Sequence, residues 1–487
     1  MSPQELAEKF LRESSQFRLG GLTTENPHPL TKNLSAMSLT HPGEALKLFG
    51  RVEAEALSKM RPYAEQIEAM GEAMKKTLSE GGRIFFGGCG ATGRLALTLE
   101  WVWPEHNNVF GFMAGADYAL VRSIESFEDH PEYGARQLDD LGFRSGDLFC
   151  GVTEGGETPF VIGATLRAAE ISPGKSYFLF CNPVSQLEPF ERCQQVLSHP
   201  DIHKMSFEIG PMALCGSTRL QATSCLMLAA GSALLSAHDG KPFIARLNEL
   251  LLTLTETDFS RAEAVTLEEF DAYKRGETFT HSSHTHALSV ATDVTERSPT
   301  FSLFPLENDK NGDNWKSWAY PNVPDAKTSK EAWQKLLWRD PRPLTWKGFE
   351  PYGMETVLGF DFSKVRSKNI FSLEADPKEV VIKANDKSVV FKSHPDALIE
   401  CLLVKSLLNA ISTVGMGRLG RYEGNLMLWV RASNYKLVDR ASRYISHLLE
   451  RKGKNEPYEK IVRTLFECQK DLGQGEPIVM KTVNQLI

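Results

Sequence analysis

Residues 87–94 (GGCGATGR) form a glycine-rich segment directly after the apolar run 83–86. This order predicts a strand, a tight glycine turn and the start of a helix. Glycine adopts the unusual dihedral angles of such a turn and lets the backbone approach a ligand closely. The first N–H groups of the following helix have no partner within the helix and favour an anion. The segment therefore predicts an anion site, with a phosphate group as the natural occupant.

A second loop of this kind, 153–159 (TEGGETP), follows the apolar run 147–152 and leads into a helical pattern. Thr158 is placed as the helix N-cap and Pro159 at the first helical position, where proline's missing N–H costs nothing. The apolar run 177–181 predicts the next strand. Strand, helix and strand in this order predict right-handed parallel crossovers. Both loops then leave the carboxyl ends of their strands and can face one ligand.

The chain has 487 residues, too many for one core, and its length predicts about three units. Alternating strand and helix patterns indicate an α/β fold with a doubly wound parallel sheet in the first large domain. We expect these units: a helical N-terminal extension over 1–78, a first α/β domain over 79–240, a helical connector over 241–275, a second domain over 276–435 and a helical C-terminal tail over 436–487. Within the second domain, the aperiodic segment 308–348 indicates an irregular insertion.

Composition narrows the classes of partner. The formal net charge is −7 without any basic tract, which disfavours nucleic acid and anionic membrane surfaces as partners. The eight cysteines show no C-x-x-C spacing, which suits a reducing cytosol. Residues 1–21 lack a signal-peptide core, and polar residues interrupt the apolar stretch 220–237, which favours a buried helix over a membrane span. We therefore expect a cytoplasmic protein that uses local donors to hold a small anion.

Six short segments carry a resemblance to a known family: 90–95 (GATGRL), 124–129 (IESFED), 158–164 (TPFVIGA), 181–183 (CNP), 216–220 (GSTRL) and 424–427 (GNLM). In this order they resemble the sugar isomerase (SIS) fold, and within it the N-acetylmuramic acid 6-phosphate etherases and the glucokinase regulatory protein. The resemblance implies two tandem SIS domains of doubly wound parallel-sheet type, the second a degenerate copy, with helical extensions at both ends. It also implies a pocket for a phosphorylated sugar.

Etherases of this family use two glutamates. In this chain the first corresponds to Glu128, whereas the position of the second, eight residues beyond Arg94, holds Val102. The segment 293–301 (DVTERSPTF) of the second copy resembles the glutamate segment itself and offers Glu296 as the second carboxylate. One glutamate from each copy would then face one substrate, as base and acid in the elimination of a lactyl ether. The structural alternatives are a surface helix acid for Glu128 and a helix-start acid for Glu296.

The resemblance and the two loops together give the residues expected to bind the sugar phosphate: Gly90, Ala91, Thr92, Gly93, Arg94, Thr153, Glu154, Gly155, Glu157, Thr158, Ser217 and Lys405. The second loop departs from its family, because Gly155 replaces a usual serine and Glu154 and Glu157 are acidic. A carboxylate ~4 Å from a phosphate charge costs about 4 kcal/mol at an effective dielectric constant near 20. Both acids are therefore expected to point away or to bind sugar hydroxyls; otherwise the ligand differs from the family's.

Three functional hypotheses stay open at this point: a carbon–oxygen lyase acting on N-acetylmuramic acid 6-phosphate or a related sugar phosphate, a regulator that binds a hexose phosphate and a partner protein without turnover, and an aldose–ketose isomerase. No cofactor is expected. His281, His284 and His286 fit no common metal-site spacing, so no metal is expected either. Two tandem domains would replace a dimer, although the sequence leaves the oligomeric state open.

Overall fold

The structure, a computed structural model, describes residues 1–105, 107–124, 127–308, 313, 315–430, 432–473 and 476–487. Glu125 and Ser126 of the predicted glutamate segment lie outside the described residues, as do 309–312 and 314 of the predicted insertion.

Four helices precede the first sheet: α1 Pro3–Glu13, α2 Leu34–Thr40, α3 Pro42–Ser58 and α4 Ala64–Ser79. The first α/β unit then comprises β1 Ile84–Gly88, α5 Ala91–Val102, β2 Val109–Met113, α6 Pro131–Asp140, β3 Leu148–Val152, α7 Pro159–Ile171, β4 Ser176–Phe180, α8 Val184–Leu187, α9 Glu191–Leu197, β5 Ile202–Ser206 and α10 Gln221–Asp239. All of β1, β3 and β4 is buried, as expected for strands covered by helices on both faces.

The first sheet is parallel throughout, in the order β2-β1-β3-β4-β5. Gly88 at the end of β1 is in register with Met113 of β2 on one side and with Val152 of β3 on the other. The loops after these three strands therefore leave the sheet at the same level. Because the strand order reverses direction between β1 and β3, a crevice opens at their carboxyl ends. The predicted parallel crossovers are confirmed, and they bring the two glycine loops together.

The second α/β unit follows the connecting helices α11 Phe243–Glu256 and α12 Glu263–Lys274. It comprises β6 Phe279–Ser282, α13 Ala287–Phe301, β7 Ala319–Asn322, α14 Ser329–Leu337, α15 Met354–Gly359, β8 Asn369–Ala375, β9 Glu379–Ala384, β10 Lys387–Lys392 and α16 Ala397–Arg418. The chain ends with a short pair of strands and three helices: β11 Tyr422–Glu423, β12 Leu426–Met427, α17 Tyr435–Arg451, α18 Tyr458–Lys470 and α19 Ile478–Leu486.

The second sheet has the order β10-β9-β8-β6-β7 and is only partly parallel. Strands β7, β6 and β8 are parallel, whereas β9 and β10 continue as an antiparallel hairpin. The expectation of a parallel sheet is therefore wrong for these two strands. The physical reason is the length of their connections: two or three residues permit a hairpin, whereas a parallel neighbour needs a crossover of a dozen or more. This difference agrees with the expected degeneracy of the second copy.

The segment 308–348 is more regular than expected, because its described residues include β7 and α14. The side chain of Thr328 caps α14 by accepting a hydrogen bond from the Glu331 N–H at 3.1 Å. The sequence does not predict this helix, because nine residues are too few to show a helical period of apolar residues.

The long helices α10 and α16 pack against each other and join the two α/β units. Residues 221–235 of α10 are buried, which confirms the interpretation of this stretch as a buried helix. Among the described residues, α16 is the only helix long and apolar enough to cross a membrane, but 83% of its most apolar window is buried inside the protein. Neighbouring helices, including α3, α12 and α13, cover the apolar surface of α16.

Close packing at the start of α5 depends on glycine. A Cβ added at Gly93 would lie 2.2 Å from the Met113 Cβ, and one at Gly88 would lie 2.4 Å from the backbone carbon of Thr92. Real Cβ atoms essentially never approach so closely, so either side chain would push α5 away from β1 and β2.

We predict that Gly93→Ala lowers the free energy of unfolding by roughly 1–3 kcal/mol, because overpacking must shift α5. The measurement is the midpoint of urea unfolding. Gly21→Ala is the control, because a Cβ added at Gly21 has no atom within 4 Å. We expect this change to alter the free energy of unfolding by less than about 0.5 kcal/mol. Equal midpoints for the two variants would contradict the prediction.

Candidate functional site

The carboxyl ends of β1, β2 and β3 open into a cavity of about 160 Å³ whose wall comes from both halves of the chain. Eight of the residues expected at the site line it: Gly90, Ala91, Arg94, Glu128, Glu154, Thr158, Ser217 and Glu296. The other six lie outside this lining: Thr92, Gly93, Thr153, Gly155, Glu157 and Lys405.

The first glycine loop presents its backbone to the cavity. Gly90 is the N-cap of α5 and has φ 56° and ψ −120°, a conformation that favours glycine. Thr92 is used within the loop: its hydroxyl accepts a hydrogen bond from the Cys89 N–H at 3.1 Å and lies 3.0 Å from the Cys89 carbonyl oxygen as donor. The threonine therefore holds the shape of the turn, and Cys89, Gly90 and Ala91 form the cavity wall here.

In the second loop the predicted positions of Thr158 as N-cap and Pro159 as first helical residue are confirmed. The Thr158 hydroxyl, however, makes no capping bond and lies 2.9 Å from the hydroxyl of Thr153. The Gly156 N–H also donates to the Thr153 hydroxyl, at 3.3 Å. Thr153 therefore organises the loop from behind, whereas Thr158 lies at the cavity surface.

Glu296 reaches the cavity from α13, in the second half of the chain. Its Oε1 accepts a hydrogen bond from Arg94 Nη1 at 3.0 Å, and both side chains are almost fully buried. Arg94 also donates from Nη2 to the carbonyl oxygen of Ala119 at 3.0 Å. This ion pair joins α5 of the first half to α13 of the second half directly at the cavity wall.

Glu128 approaches the same cavity from the segment before α6. Its Oε1 lies 3.3 Å from the Nζ of Lys436, and its Oε2 lies 3.4 Å from the Nδ2 of Asn434. Lys436 also lies 2.9 Å from Glu157 Oε1. Burial lowers the pKa of Lys436, but the carboxylates of Glu128 and Glu157 outweigh it and place that pKa well above its ordinary value. Asp129, beside them, has its pKa raised to about 6 by burial and by these same two carboxylates.

The two acidic residues of the second loop have different surroundings. Burial raises the pKa of Glu157, but Lys436 and Arg192 outweigh it, so that this pKa lies below its ordinary value. Arg192 Nη2 lies 3.3 Å from Glu157 Oε2. Glu154 faces the cavity and accepts a hydrogen bond from the Thr223 hydroxyl at 3.1 Å. Burial is the main reason why the pKa of Glu154 is raised to about 7.

Arginines 219 and 440 complete the charged part of the wall. Arg219 Nη1 lies 3.2 Å from Asp293 Oδ1, and Arg440 Nε donates to Glu25 Oε2 at 3.0 Å. Burial raises the pKa of Glu25, yet the charges of Arg440 and Arg443 outweigh burial and lower this pKa to about 2. Among the described residues, each of the four Lys and Arg side chains that line the cavity therefore already has a carboxylate partner.

Ser217 and Lys405 differ in their relation to the cavity. The Ser217 hydroxyl is buried in the wall with no hydrogen-bond partner among the described residues. Lys405 donates from Nζ to the Leu220 carbonyl oxygen at 3.1 Å and to the Ser224 hydroxyl at 2.7 Å. It lines a separate space of about 40 Å³ on the other side of Arg94 and Glu296. The structure thus places Lys405 behind the wall rather than at its surface.

Sequence reasoning missed the residues that α17 contributes. Lys436 and Arg440 are spaced by four and share one face of that helix, but they were assigned to the C-terminal tail. Asn434 is the N-cap, and its side-chain oxygen accepts a hydrogen bond from the Leu437 N–H at 2.8 Å. The Asn cap and the i, i+4 cations were readable signals for a helix start, although nothing local indicated that it would reach the cavity.

The three histidines of the second half each face a different acid. Nε2 of His281 lies 2.9 Å from Glu269, and Nε2 of His286 lies 3.0 Å from Glu400. His284 lies between two acids, with its Nδ1 2.9 Å from Glu374 and its Nε2 3.0 Å from Asp325. In the described ranges no group of three or more His, Cys, Asp or Glu residues is arranged to hold a metal ion.

Comparisons with known proteins place the chain among SIS proteins. A family model described as the glucokinase regulatory protein N-terminal SIS domain matches residues 65–169. The chain is 35% identical over 219 residues to an N-acetylmuramic acid 6-phosphate etherase from Thermosynechococcus vestitus, a match that covers 43% of this chain and 65% of the relative. It is 32% identical over 269 residues to an etherase of the same name from Picosynechococcus sp., covering 51% of this chain and 85% of the relative.

Solved structures with low sequence identity are also similar. The tagatose-6-phosphate ketose/aldose isomerase from Escherichia coli is 11% identical, with a TM-score of 0.37, and the match covers 80% of this chain and 95% of that chain. The C-terminal domain of glucosamine-fructose-6-phosphate aminotransferase from Francisella tularensis is 12% identical, with a TM-score of 0.39, covering 78% of this chain and 96% of that chain. On the sequence match that covers 85% of a relative at 32% identity, the chain belongs to the N-acetylmuramic acid 6-phosphate etherase family of SIS proteins.

Proposed function

We propose that this chain binds a sugar phosphate and is a carbon–oxygen lyase that cleaves the lactyl ether of N-acetylmuramic acid 6-phosphate or a related sugar phosphate. The observation that carries the proposal is that Glu128 and Glu296, from different halves of the chain, line the same cavity. The names of the relatives at 30–35% identity support the same reaction class.

The chemistry needs two proton-transfer groups. A base takes the proton from the carbon beside the open-chain aldehyde, the carbon–oxygen bond of the ether breaks, and an acid gives a proton to the departing lactate oxygen. Glutamates can fill both roles, and Glu128 and Glu296 approach the cavity from different elements. A substrate lying between them would have one carboxyl on each side.

The phosphate would bind at the first glycine loop. The Gly90 turn and the first residues of α5 offer backbone N–H groups at a helix start. The ammonium of Lys436 lies on the wall and is shared between two carboxylates, so it can turn one bond toward an arriving phosphate. Hydrogen bonds to a charged group contribute about 1.5–3 kcal/mol each, which makes them the main source of affinity.

A second candidate is a regulator that binds a hexose phosphate and a partner protein without turnover. The observation that favours it is that both glutamates are already engaged, Glu296 by Arg94 and Glu128 by Lys436. A neighbouring cation stabilises the ionised form of a carboxylate and so makes it a weaker base. Turnover and binding therefore need to be measured separately.

The proposal includes a cytoplasmic location. All eight cysteines lie in the described ranges, and no disulfide joins them. Burial raises the pKa of several of these thiols, which keeps them protonated and unreactive. Such thiols suit a reducing compartment.

We predict that Glu128→Gln and Glu296→Gln each lower kcat for lactate release from N-acetylmuramic acid 6-phosphate by about 100-fold or more, the usual effect of losing a general acid or base. Released lactate is measured with a coupled dehydrogenase. Glu132→Gln is the matched control. Glu132 is an exposed acid in the first turn of α6, four residues after Glu128 in the sequence. Unchanged release in both variants, or none from the wild-type protein, would contradict the lyase proposal.

We predict that a hexose 6-phosphate at 100 times its Kd stabilises the protein by about 2.7 kcal/mol, seen as a rise in apparent Tm. Lys436→Met should remove most of this rise, since it takes away a wall cation. Each variant is compared with its own ligand-free Tm, and Lys460→Met, which changes an exposed side chain of α18, is the control. A full shift in Lys436→Met would exclude this lysine as a phosphate ligand, and stabilisation without lactate release would favour the regulator.

A further inference from the structure

Glu154 stands apart among the acids of the cavity wall. It follows the carboxyl end of β3, only 7% of the residue is exposed, and it lines the cavity. Its backbone oxygen accepts a hydrogen bond from the Cys181 N–H at 2.9 Å, which holds the loop against β4. The side chain is held by the Thr223 hydroxyl of α10 at 3.1 Å. Its position is therefore set by two neighbouring elements.

The other acids at this end of the cavity have cations beside them. Glu128 and Glu157 share Lys436, and Glu296 has Arg94. For Glu154, by contrast, no Lys or Arg nitrogen lies within 4.0 Å in the part of the chain that the structure describes. A buried carboxyl without a cation is more stable as the neutral acid.

The groups that face Glu154 come from four elements. Lys436 on α17 favours its ionised form, whereas Glu296 on α13 opposes it. Thr223 on α10 donates a hydrogen bond, and the Cys181 thiol beyond β4 is neutral because burial raises its pKa. Burial outweighs the lysine, and the pKa of Glu154 is raised to about 7. Near neutral pH the residue is therefore divided between its acid and its carboxylate.

We propose that Glu154 binds the ligand as a neutral carboxylic acid, donating its O–H to an oxygen of the ligand's anionic group, so that binding takes up a proton from solvent. This inference rests on the proposed sugar-phosphate function. A carboxylate next to a phosphate repels it, whereas a carboxylic acid supplies a hydrogen-bond donor in the same place. The acidic second loop then becomes compatible with an anionic ligand.

The neighbouring Glu157 cannot act in this way. It lies outside the cavity lining, and Lys436 and Arg192 both hold its carboxylate. Their charges keep its pKa below the ordinary value, so it stays ionised on both sides of ligand binding. Glu157→Gln is therefore the matched control for Glu154→Gln, since both changes remove one acid from the same loop.

The test is isothermal titration calorimetry of the full chain with N-acetylglucosamine 6-phosphate, which has no lactyl ether to cleave. Titrations at pH 7.5 in buffers of different ionisation enthalpy give the number of protons taken up. We expect the wild-type protein to take up about 0.5–1 proton more than Glu154→Gln when the ligand binds. We also expect the wild-type protein to bind the ligand about fivefold more weakly at pH 8 than at pH 7, because a group with a pKa of about 7 loses its proton in this range.

The variants and the ligand separate the outcomes. Loss of the extra uptake in Glu154→Gln, with retention in Glu157→Gln, is the expected result. Binding in which the wild-type protein and Glu154→Gln take up the same number of protons would overturn this inference and leave the proposed function intact. If neither N-acetylglucosamine 6-phosphate nor N-acetylmuramic acid 6-phosphate binds, the proposed function fails, and the inference fails with it.

Discussion

Two buried ion pairs between the halves of the chain are the constraint on which the site depends. Arg94 meets Glu296, and Arg219 meets Asp293, in places where almost no solvent reaches any of the four side chains. Leaving a buried charge without its partner costs about 3–5 kcal/mol, so the halves cannot slide or separate by small amounts without loss of stability. Further bonds from Arg219 to Asn409 and to hydroxyl groups of α16 hold the same contact. The relative placement of the two halves, and hence of the cavity wall, follows from these pairs.

How far the sequence predicts the structure depends on how local each signal is. The glycine turn at Gly90 and the helix start at Pro159 are set by residues within one turn, and both were predictable. The hairpin of β9 and β10 also carried a local signal, because Asn385 adopts a positive φ in a two-residue turn between alternating strands. The contact between Lys436 and Glu128, which are 308 residues apart, has no local signal in the sequence. That contact depends on how α17 packs after the chain has passed through both sheets.

Identical side chains in one loop can carry different charges because their neighbours come from distant parts of the chain. Glu154 and Glu157 are three residues apart and both buried, so a sequence-based argument treats them alike. Arg192 of α9 and Lys436 of α17 lie 3.3 and 2.9 Å from the Glu157 carboxylate, whereas no Lys or Arg nitrogen among the described residues lies within 4.0 Å of the Glu154 carboxylate. The loop therefore holds one ionised acid that fastens it to two helices and one acid near its titration midpoint that faces the cavity. Repulsion of an anion by an acidic loop is thus weaker than the count of glutamates indicates.

The two halves are unequal because the crevice of the second sheet is filled by the protein's own side chains. At the start of α13, the position that corresponds to the first glycine loop, the His284 N–H donates to the carboxylate of Glu374 at 3.0 Å. The Thr285 hydroxyl accepts a hydrogen bond from the Ala375 N–H at 2.9 Å, which closes the crevice between β6 and β8. A carboxylate of the protein itself thus lies where the first half leaves room for an anion. Because β8 turns directly into a hairpin, no crossover loop remains to form a second wall. The second half therefore supplies Glu296, Lys436 and Arg440 to the wall of a cavity that opens at the carboxyl ends of the first sheet.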